Sequence, residues 1–241
     1  MSYFSNFNTV QYDIEGNGVY RKLTDITQYS TIITENLDNV AFYSYYNIQD
    51  GERPDTVSQN LYDTPAYYWT LFIINPELQN YWHDWPKSSD ALREYVEAEN
   101  IGMAGIFDAG DSIAGKFTIG ETVTGALSGA TATLISKYPT NGYIQMKMLT
   151  GAFRETGESI QGITSGDTIA CTAIVKAAYA PNYHIDDGTM ERTKRRSAGT
   201  SPVTNFEAEY EENLLKSRIK VIKPRMIGQV VSDFKSAMRG S

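Results

Sequence analysis

The feature that most restricts the fold of this chain is a short internal repeat between residues 105 and 178. Phe117 is followed by Gly-Glu at 120–121, by Gly125 and by Ser-Gly at 128–129, and the last three recur 37 residues later, behind Phe153. The stretch is otherwise rich in Gly, Thr, Ser, Ala and Val. Two copies of a strand-turn-strand unit can bury one shared apolar face. The repeat therefore predicts an all-β module, a small barrel or roll, over 105–178.

The region before this module is aromatic, with all three Trp and 12 of the 17 Tyr before residue 101. Its apolar spacing predicts a strand over 43–48 and helices over 56–62, 66–74 and 91–98. Thr64 and Pro65 are the residue types that cap and open a helix, and Pro76 ends one at the residue before it. This region therefore predicts a strand followed by short helices.

The region after the module has two parts. Residues 179–204 are polar and irregular, which predicts an extended linker. Residues 206–216 predict an acidic helix, 219–222 a strand and 226–238 a second helix with apolar residues three and four positions apart. That apolar stripe consists of Ile227, Val230, Val231, Phe234 and Met238.

The charge of the chain is uneven and argues against nucleic acid as a partner. The net charge is −8, with −10 in residues 1–100, −1 in 101–180 and +3 in 181–241. Phosphate binding needs a basic surface, whereas the basic C-terminal end suits an acidic partner. No apolar run is long enough to span a bilayer, and Met1–Val10 does not resemble a secretory signal. We expect a soluble protein with neither a nucleic-acid nor a membrane partner.

The sequence offers little for catalysis or for a metal. The single Cys171 excludes an internal disulfide and a cysteine-based zinc site. His83 and His184 are about 100 residues apart and fit no metalloprotease spacing. Nothing charged beside Cys171 would activate it as a partner of His184. We therefore expect no enzyme activity, no catalytic residues, no metal and no cofactor.

Two stretches resemble a known family. Residues 50–62, then Tyr67-Tyr68-Trp69 and Asn75-Pro76, resemble a LysM domain. More closely, 51–85 and the tail from Arg218 to Pro224 are similar to the baseplate wedge proteins of contractile-tailed bacteriophages, whose core is LysM-like. The resemblance covers about a quarter of the chain, at both ends, and the module at 105–178 has no counterpart in it.

The resemblance implies an α+β fold in several parts. We expect a LysM-like βααβ core with flanking helices, an inserted all-β repeat module, and a C-terminal strand and amphipathic helix. The predicted divisions are an N-terminal arm or helix (1–39), the core with its following helix (40–104), the inserted module (105–178), the linker (179–204) and a C-terminal helix-strand-helix docking segment (205–241).

The resemblance also implies a structural subunit of the virion that joins neighbouring wedge proteins. Such a subunit would be made in the host cytoplasm and would sit in several copies around the tail axis, in contact with other baseplate and tail proteins. The candidate partner-binding residues are Tyr81, Trp82, Trp85, Arg218, Lys220, Lys223, Arg225, Ile227, Val230, Val231 and Phe234. Trp and Tyr are favoured anchors at interfaces, and a basic segment with an apolar stripe suits docking. The alternative is that the last helix packs on its own chain.

Two other function classes stay open. LysM domains bind N-acetylglucosamine polymers between the loops that flank their helices, and here those loops are 51–56 and 75–85. Tyr81, Trp82 and Trp85 could stack on sugar rings. A tail-associated lysozyme or peptidase is the third class, and it would need a catalytic constellation that this sequence does not display.

Overall fold

The computed structural model describes residues 7–25, 41–78, 80–108, 110–193 and 196–240. It is a mixed α+β protein that divides into two units. Residues 1–88 and 213–241 form what we call the discontinuous unit, and residues 89–212 form the inserted unit. These boundaries differ from the predicted ones. The inserted unit begins at Ser89 and therefore includes the helix predicted over 91–98, which was assigned to the core.

The first half of the chain contains the elements β1 (Thr9–Tyr12), β2 (Arg21–Thr24), β3 (Tyr43–Asn47), α1 (Pro54–Tyr62), α2 (Trp69–Ile74), α3 (Tyr81–Asp84), α4 (Ser89–Glu99), β4 (Met103–Ile106) and β5 (Thr122–Gly125). The second half contains β6 (Thr131–Tyr138), β7 (Tyr143–Thr150), β8 (Ser159–Gly162), β9 (Thr168–Ala170), β10 (Ala173–Lys176), β11 (Pro181–Asp186), β12 (Arg192–Thr193), β13 (Thr200–Thr204), α5 (Asn205–Ser217), β14 (Arg218–Ile222) and α6 (Pro224–Gly240).

The first two helices of the discontinuous unit end where the sequence indicates, but α1 begins at Pro54 and not at residue 56, and α2 begins at Trp69 and not at residue 66. Pro54 opens α1, and Asp63 ends it in the left-handed conformation with φ 57°. The Thr64 side chain accepts a hydrogen bond from the Ala66 N–H at the start of a short 3₁₀ turn that leads into α2. The predicted cap at Thr64 is therefore confirmed, because an unpaired N–H at a helix start favours a side-chain acceptor.

The strand that pairs with β3 is β14, from the far end of the chain. The two run antiparallel, with Tyr45 opposite Lys220 and Tyr43 opposite Ile222. The discontinuous unit thus has the order strand, helix, helix, and its second strand in this sheet, β14, follows the inserted unit in the sequence. The core prediction over 40–104 lacked this partner, because no pattern near β3 marks a strand at residue 220.

Two side chains, the buried Asn75 and the half-buried Tyr62, join the helices to β14. Asn75, which is 1% exposed, donates to the Lys220 carbonyl at 2.8 Å and accepts from the Lys220 N–H at 2.8 Å. The Tyr62 hydroxyl donates to the Ile222 carbonyl at 2.9 Å, and burial raises the pKa of Tyr62 to about 12. These bonds satisfy backbone groups of a strand that, in the part of the chain that the structure describes, pairs with β3 alone.

Two apolar clusters form the core of the discontinuous unit. One lies between α2 and α6, where Trp69, Ile74 and Phe42 meet Phe234. The other joins Val57, Leu71 and Leu78 to Ile219 and Val221 on the inner face of β14. Burial of such side chains contributes about 1.5 to 3 kcal/mol each.

The described N-terminal residues form a hairpin, not the predicted arm or helix. In residues 7–25, β1 and β2 pair antiparallel, with Thr9 opposite Thr24. Every residue of the two strands is exposed, Val10 and Tyr12 among them. The remainder of the predicted arm lies outside the described residues.

The inserted unit is built around a seven-stranded antiparallel sheet, in the order β10-β4-β7-β6-β5-β8-β9. The all-β prediction for this part of the chain is confirmed. Its core comes mainly from strand residues that face one side, and it contains Phe107, Phe117, Val123, Leu134, Ile144, Met146, Ile160, Ile169 and Ile174. A helix, α4, packs Leu92 and Val96 against Ala178 in the same unit.

The two copies of the repeat contact each other where β5 pairs with β8. Thr124 lies opposite Gln161, its equivalent 37 residues on. Glu121 of the first copy accepts from the Ser165 N–H at 3.0 Å in the turn of the second copy. Glu158 of the second copy accepts from the Leu127 N–H at 2.8 Å in the turn of the first. Each copy therefore binds the turn of the other.

The repeated glycines leave room for these carboxylates. A Cβ on Gly162 would lie 2.6 Å from the Glu121 carboxylate oxygen Oε2, and one on Gly125 would lie 3.0 Å from the Glu158 carboxyl carbon. The first distance is shorter than real Cβ contacts, and a Cβ on Gly125 would also lie 2.8 Å from Phe153 Cδ1, so a side chain at either position would force its neighbours to move. The Gly-Glu, Gly and Ser-Gly positions are thus the parts of one reciprocal contact.

The predicted irregular linker over 179–204 is wrong. β11 pairs with both β12 and β13 in a three-stranded sheet, with His184 opposite Thr193 and Pro202. The sequence conceals these strands because Pro202, polar residues and glycines interrupt the alternation that marks a strand.

Candidate interaction surface

The sheet formed by β3 and β14 has two chemically different faces. Ile219 and Val221 point into the unit and are 1% exposed. Arg218 and Lys220, which alternate with these two residues, point outward, because side chains alternate across a strand. On the outer face, Arg218 and Lys220 of β14 adjoin Tyr43 and Tyr45 of β3.

The two cations lie over the two tyrosine rings. The Arg218 guanidinium carbon is 4.4 Å from the centroid of the Tyr45 ring, and the Lys220 ammonium is 4.9 Å from that of Tyr43. The two rings meet edge to face at 5.7 Å. Each cation sits over the ring diagonally across the strand pair, which long side chains can reach. We call Tyr43, Tyr45, Arg218 and Lys220 the basic face.

The positive charge of the basic face is not neutralised within the described residues. In that part of the chain, no carboxylate lies within 4 Å of the side-chain nitrogens of Arg218 or Lys220. The ion pairs there involve other basic residues. A cation over an exposed ring gains only about 0.5 to 1 kcal/mol. Tyr45 is 54% exposed. Arg218 is exposed as well, whereas Tyr43 and Lys220 are half-buried, so the part of the face that meets solvent is chiefly Arg218 and the Tyr45 ring.

Lys223 and Arg225 continue the positive charge beyond β14. Arg225 is exposed in the first turn of α6, and that turn contains no acidic residue. Cations at a helix N-terminus are unfavourable by a few tenths of a kcal/mol or more. Helix stability therefore does not account for the basic residue at this position.

The apolar stripe of α6 is not available to a partner. Phe234 is 1% exposed and its ring lies 4.5 Å from that of Trp69. Ile227, Val230, Val231 and Met238 belong to the same buried cluster. The docking prediction for the stripe is corrected to the alternative, in which the helix packs on its own unit, because α2 and β14 already cover it.

Of the three aromatic residues predicted as anchors, the structure describes the side chain of Trp85 alone. Trp85 is 7% exposed, its indole N–H donates to the Glu52 carbonyl at 2.8 Å, and its ring lies 5.8 Å from that of Phe72. It is a core residue and does not offer a surface for stacking. The side chains of Tyr81 and Trp82 lie outside the described residues.

A shallow groove lies beside the start of α1. Its volume is about 400 Å³, and its lining comprises Arg53, Pro54, Asp55, Tyr68 and Phe72. It adjoins one of the two loops in which a glycan was expected, at 51–56. The groove is mostly apolar in its walls, and Trp85 lies behind Phe72 and not in it.

The residues considered for catalysis are not brought together as a reactive group. Burial, with a smaller effect of the Glu158 charge, raises the pKa of the Cys171 thiol to about 12. That thiol is therefore protonated at neutral pH and a poor nucleophile. Among the described residues, no group of three or more His, Cys, Asp or Glu side chains could hold a metal ion. None of the helices there combines the length and apolar character needed to cross a membrane.

The basic face combines residues that sequence reasoning found and residues that it missed. Arg218 and Lys220 were predicted, whereas Tyr43 and Tyr45 were assigned only to a strand. Their alternation in Tyr43–Asn47 placed them on one face of that strand, but the pairing with β14 was needed to put them beside cations. No protein-family model matches this sequence, and a search of curated proteins finds no match either.

Proposed function

We propose that this chain is a structural subunit of the baseplate wedge of a contractile phage tail, where it joins neighbouring wedge proteins by protein–protein contacts. One observation carries the proposal. The two stretches that resemble the wedge family, 51–85 and 218–224, are separated by more than 130 residues, yet they fold together through the bonds between Asn75 and Lys220. An accidental resemblance of two separate stretches would not require them to meet.

The order of elements also supports a LysM-like core. β3, α1, α2 and β14 follow the strand-helix-helix-strand order of that core, and Asn75 stands where the resemblance has its asparagine. In this proposal the core is split by the inserted unit, and β14 is its closing strand. The inserted unit is then an addition to the wedge protein, not part of its core.

The contact surface in this proposal is the basic face. Its cations lack carboxylate partners among the described residues, and tyrosine and arginine are enriched where protein interfaces gain most of their affinity. An acidic partner surface would gain both steering and charge-assisted hydrogen bonds from Arg218 and Lys220. The expected partner is therefore an acidic surface on another tail protein.

The experiment is to locate the chain in particles of the phage that encodes it. Antibodies against the purified chain, coupled to gold and viewed by electron microscopy, should label the end of the tail away from the head. Labelling of the head, or no labelling of either intact or partly disassembled tails, would contradict the proposal. Antibodies against the major tail tube protein serve as the positional control.

Glycan binding is a second candidate, because the groove beside α1 adjoins a loop where LysM domains hold sugar. Tyr68 and Phe72 line it and Asp55 could accept from sugar hydroxyls. Titration with soluble N-acetylglucosamine oligomers tests it. Saturable binding that is lost in Tyr68→Ala, with the fold retained, would favour this candidate, and no binding at millimolar oligomer would remove it.

A further inference from the structure

The inserted unit contains a cavity that the proposed function does not use. Its volume is about 390 Å³, within the range of small-ligand sites. The walls are residues 107, 108 and 110–112 after β4 and the β6–β7 turn at 139–142, and Arg196 lines the cavity as well. The Arg196 N–H donates to the Thr140 carbonyl at 3.0 Å, which holds the Arg196 backbone against that turn.

Arg196 is held here without adequate partners. Its side chain is 24% exposed, and Nη1 is buried with no hydrogen-bond acceptor. Its nearest carboxylate, Asp108, lies 3.9 Å from Nη2, which is too long for a hydrogen bond. A buried donor without a partner costs about 1 to 3 kcal/mol, and more when it is charged.

A second orphaned atom lies near the first. Among the described residues, the buried side-chain nitrogen or oxygen atoms without a partner are Arg196 Nη1 and His184 Nδ1. His184 is 1% exposed, and burial, followed by the positive charge of Arg196, lowers its pKa. The described lining of the cavity contains Arg196 but not His184, whose ring lies close enough to the guanidinium for that charge to affect it.

The chemistry of the cavity suits a carboxylate. A planar carboxylate accepts from guanidinium N–H groups, and Arg196, whose side chain is 24% exposed, is a cation that lines this cavity. The Ser112 oxygen accepts from the Ala114 N–H at 3.2 Å, so its own O–H can still donate.

Two acidic residues, Asp108 and Asp111, also line the cavity. Asp108 is 72% exposed and Asp111 is exposed as well, so each can turn into solvent. Asp108 acts as a weak internal competitor, because its carboxylate approaches the guanidinium without reaching hydrogen-bonding distance. A ligand carboxylate would take its place beside Arg196.

We propose that this cavity of the inserted unit binds a carboxylate group, held by the Arg196 guanidinium and the Ser112 hydroxyl. The carboxylate could belong to a small molecule or to an acidic side chain of another protein. The proposal does not rest on the phage assignment, because every residue that carries it lies in the inserted unit.

The two histidines of the chain make the test direct. With ¹³C-labelled histidine, the His184 ring signal is followed by NMR at pH 7 and constant ionic strength during titration with succinate. A parallel titration uses acetyl-Gly-Glu-Gly-amide, with the glutamine peptide as its neutral control. We expect a saturable shift of the His184 signal and none of the His83 signal, which belongs to an exposed residue. Stronger binding of succinate would indicate a free carboxylate, and stronger binding of the acidic peptide a protein side chain.

Three variants complete the test. Arg196→Gln should weaken binding about tenfold or more, since a charged hydrogen bond is lost. Arg192→Gln is the matched control, because that guanidinium lies over the Tyr183 ring at 3.8 Å, and it should bind as the wild type does. Asp108→Asn should tighten binding, because it removes the competing charge from an exposed position where folding is unaffected.

The outcomes separate clearly. No saturable shift of the His184 signal in the wild type would overturn the proposal, as would equal binding by Arg196→Gln. If Arg196→Gln fails to fold, Asp108→Asn decides the question alone, and unchanged or weaker binding by that variant would count against a carboxylate beside Arg196.

Discussion

Asn75 and Lys220 lie 145 positions apart in the sequence, and the Asn75 amide exchanges two hydrogen bonds with the Lys220 backbone. The same amide also donates to the Leu71 carbonyl at 2.7 Å. One buried side chain therefore joins the end of α2 to the middle of β14. It acts as a short substitute for a neighbouring strand.

Asn75→Ala should destabilise the isolated protein by about 2 to 4 kcal/mol, because buried donors and acceptors of Lys220 lose their partners. Chemical denaturation monitored by tryptophan fluorescence measures the loss, since all three Trp lie in the discontinuous unit. Asn60→Ala is the control. Asn60 is exposed, and its amide donates to the Glu52 carboxylate beside the Tyr46 hydroxyl at the surface, so its loss should be below about 1 kcal/mol. Equal effects of the two changes would contradict the role of Asn75.

Phe234→Asp should unfold the discontinuous unit or lower its free energy of unfolding by at least about 3 kcal/mol, the usual cost of removing a buried Phe. A buried, unpaired carboxylate adds to that cost. Ser232→Asp puts the same charge on an exposed position of α6 and should leave the melting temperature nearly unchanged. A stable Phe234→Asp protein with weakened assembly would restore the docking role of the stripe.

The stability of the inserted unit should depend on two buried carboxylates. Burial alone would raise the pKa of Glu121, but hydrogen bonds from Ser165, Thr118 and Thr164 more than offset it and hold the pKa below 4.5. The pKa of Glu158 is lowered in the same way. Burial alone would raise it, but hydrogen bonds to the carboxylate, the one from the Leu127 N–H first among them, outweigh burial. A folded-state pKa below the unfolded one stabilises the protein above the unfolded pKa, and this contribution is lost as pH falls through the folded pKa.

The melting temperature of the inserted unit should therefore fall as pH is lowered below about 4.5, the unfolded value. The double variant Glu121→Gln/Glu158→Gln should be less stable at pH 7 and should lose less stability on acidification. Glu155→Gln, at an exposed position of the same unit, should follow the wild-type profile. Circular dichroism melts from pH 7 to 3 make the comparison, and parallel profiles for wild type and double variant would refute the role of the pair.

The local elements could be predicted because their signals are local. Thr64, Pro65 and Pro76 act on backbone within one or two residues of themselves. A helix ends at residue 74 as predicted, although α2 begins only at Trp69, after the 3₁₀ turn over Pro65–Tyr67. The amphipathic stripe of α6 was also correct as a pattern. Its partner could not be predicted, because an apolar stripe looks the same whether α2 or another protein covers it.

The long-range relations needed the structure. Nothing in Tyr43–Asn47 specifies β14 as its neighbour, so the pairing of tyrosines with Arg218 and Lys220 was missed. The reciprocal contacts of Glu121 and Glu158 were partly indicated by the sequence, because Gly-Glu, Gly and Ser-Gly recur together in the repeat. Small and polar residues that recur with an apolar pattern indicate a shared contact, but the sequence does not say that each copy binds the turn of the other.

The most direct test of the account is assembly of tails with a reversed basic face. The variant Arg218→Glu/Lys220→Glu is supplied to a phage that lacks its own copy of the chain, and infectious titre and electron micrographs of tails are compared with wild type. Lys147→Glu/Arg154→Glu reverses two exposed cations of the inserted unit and is the matched control. We predict that the face variant folds with the melting temperature of the control but yields tails without baseplates and few infectious particles. Normal baseplates and titre with the reversed face would contradict the account.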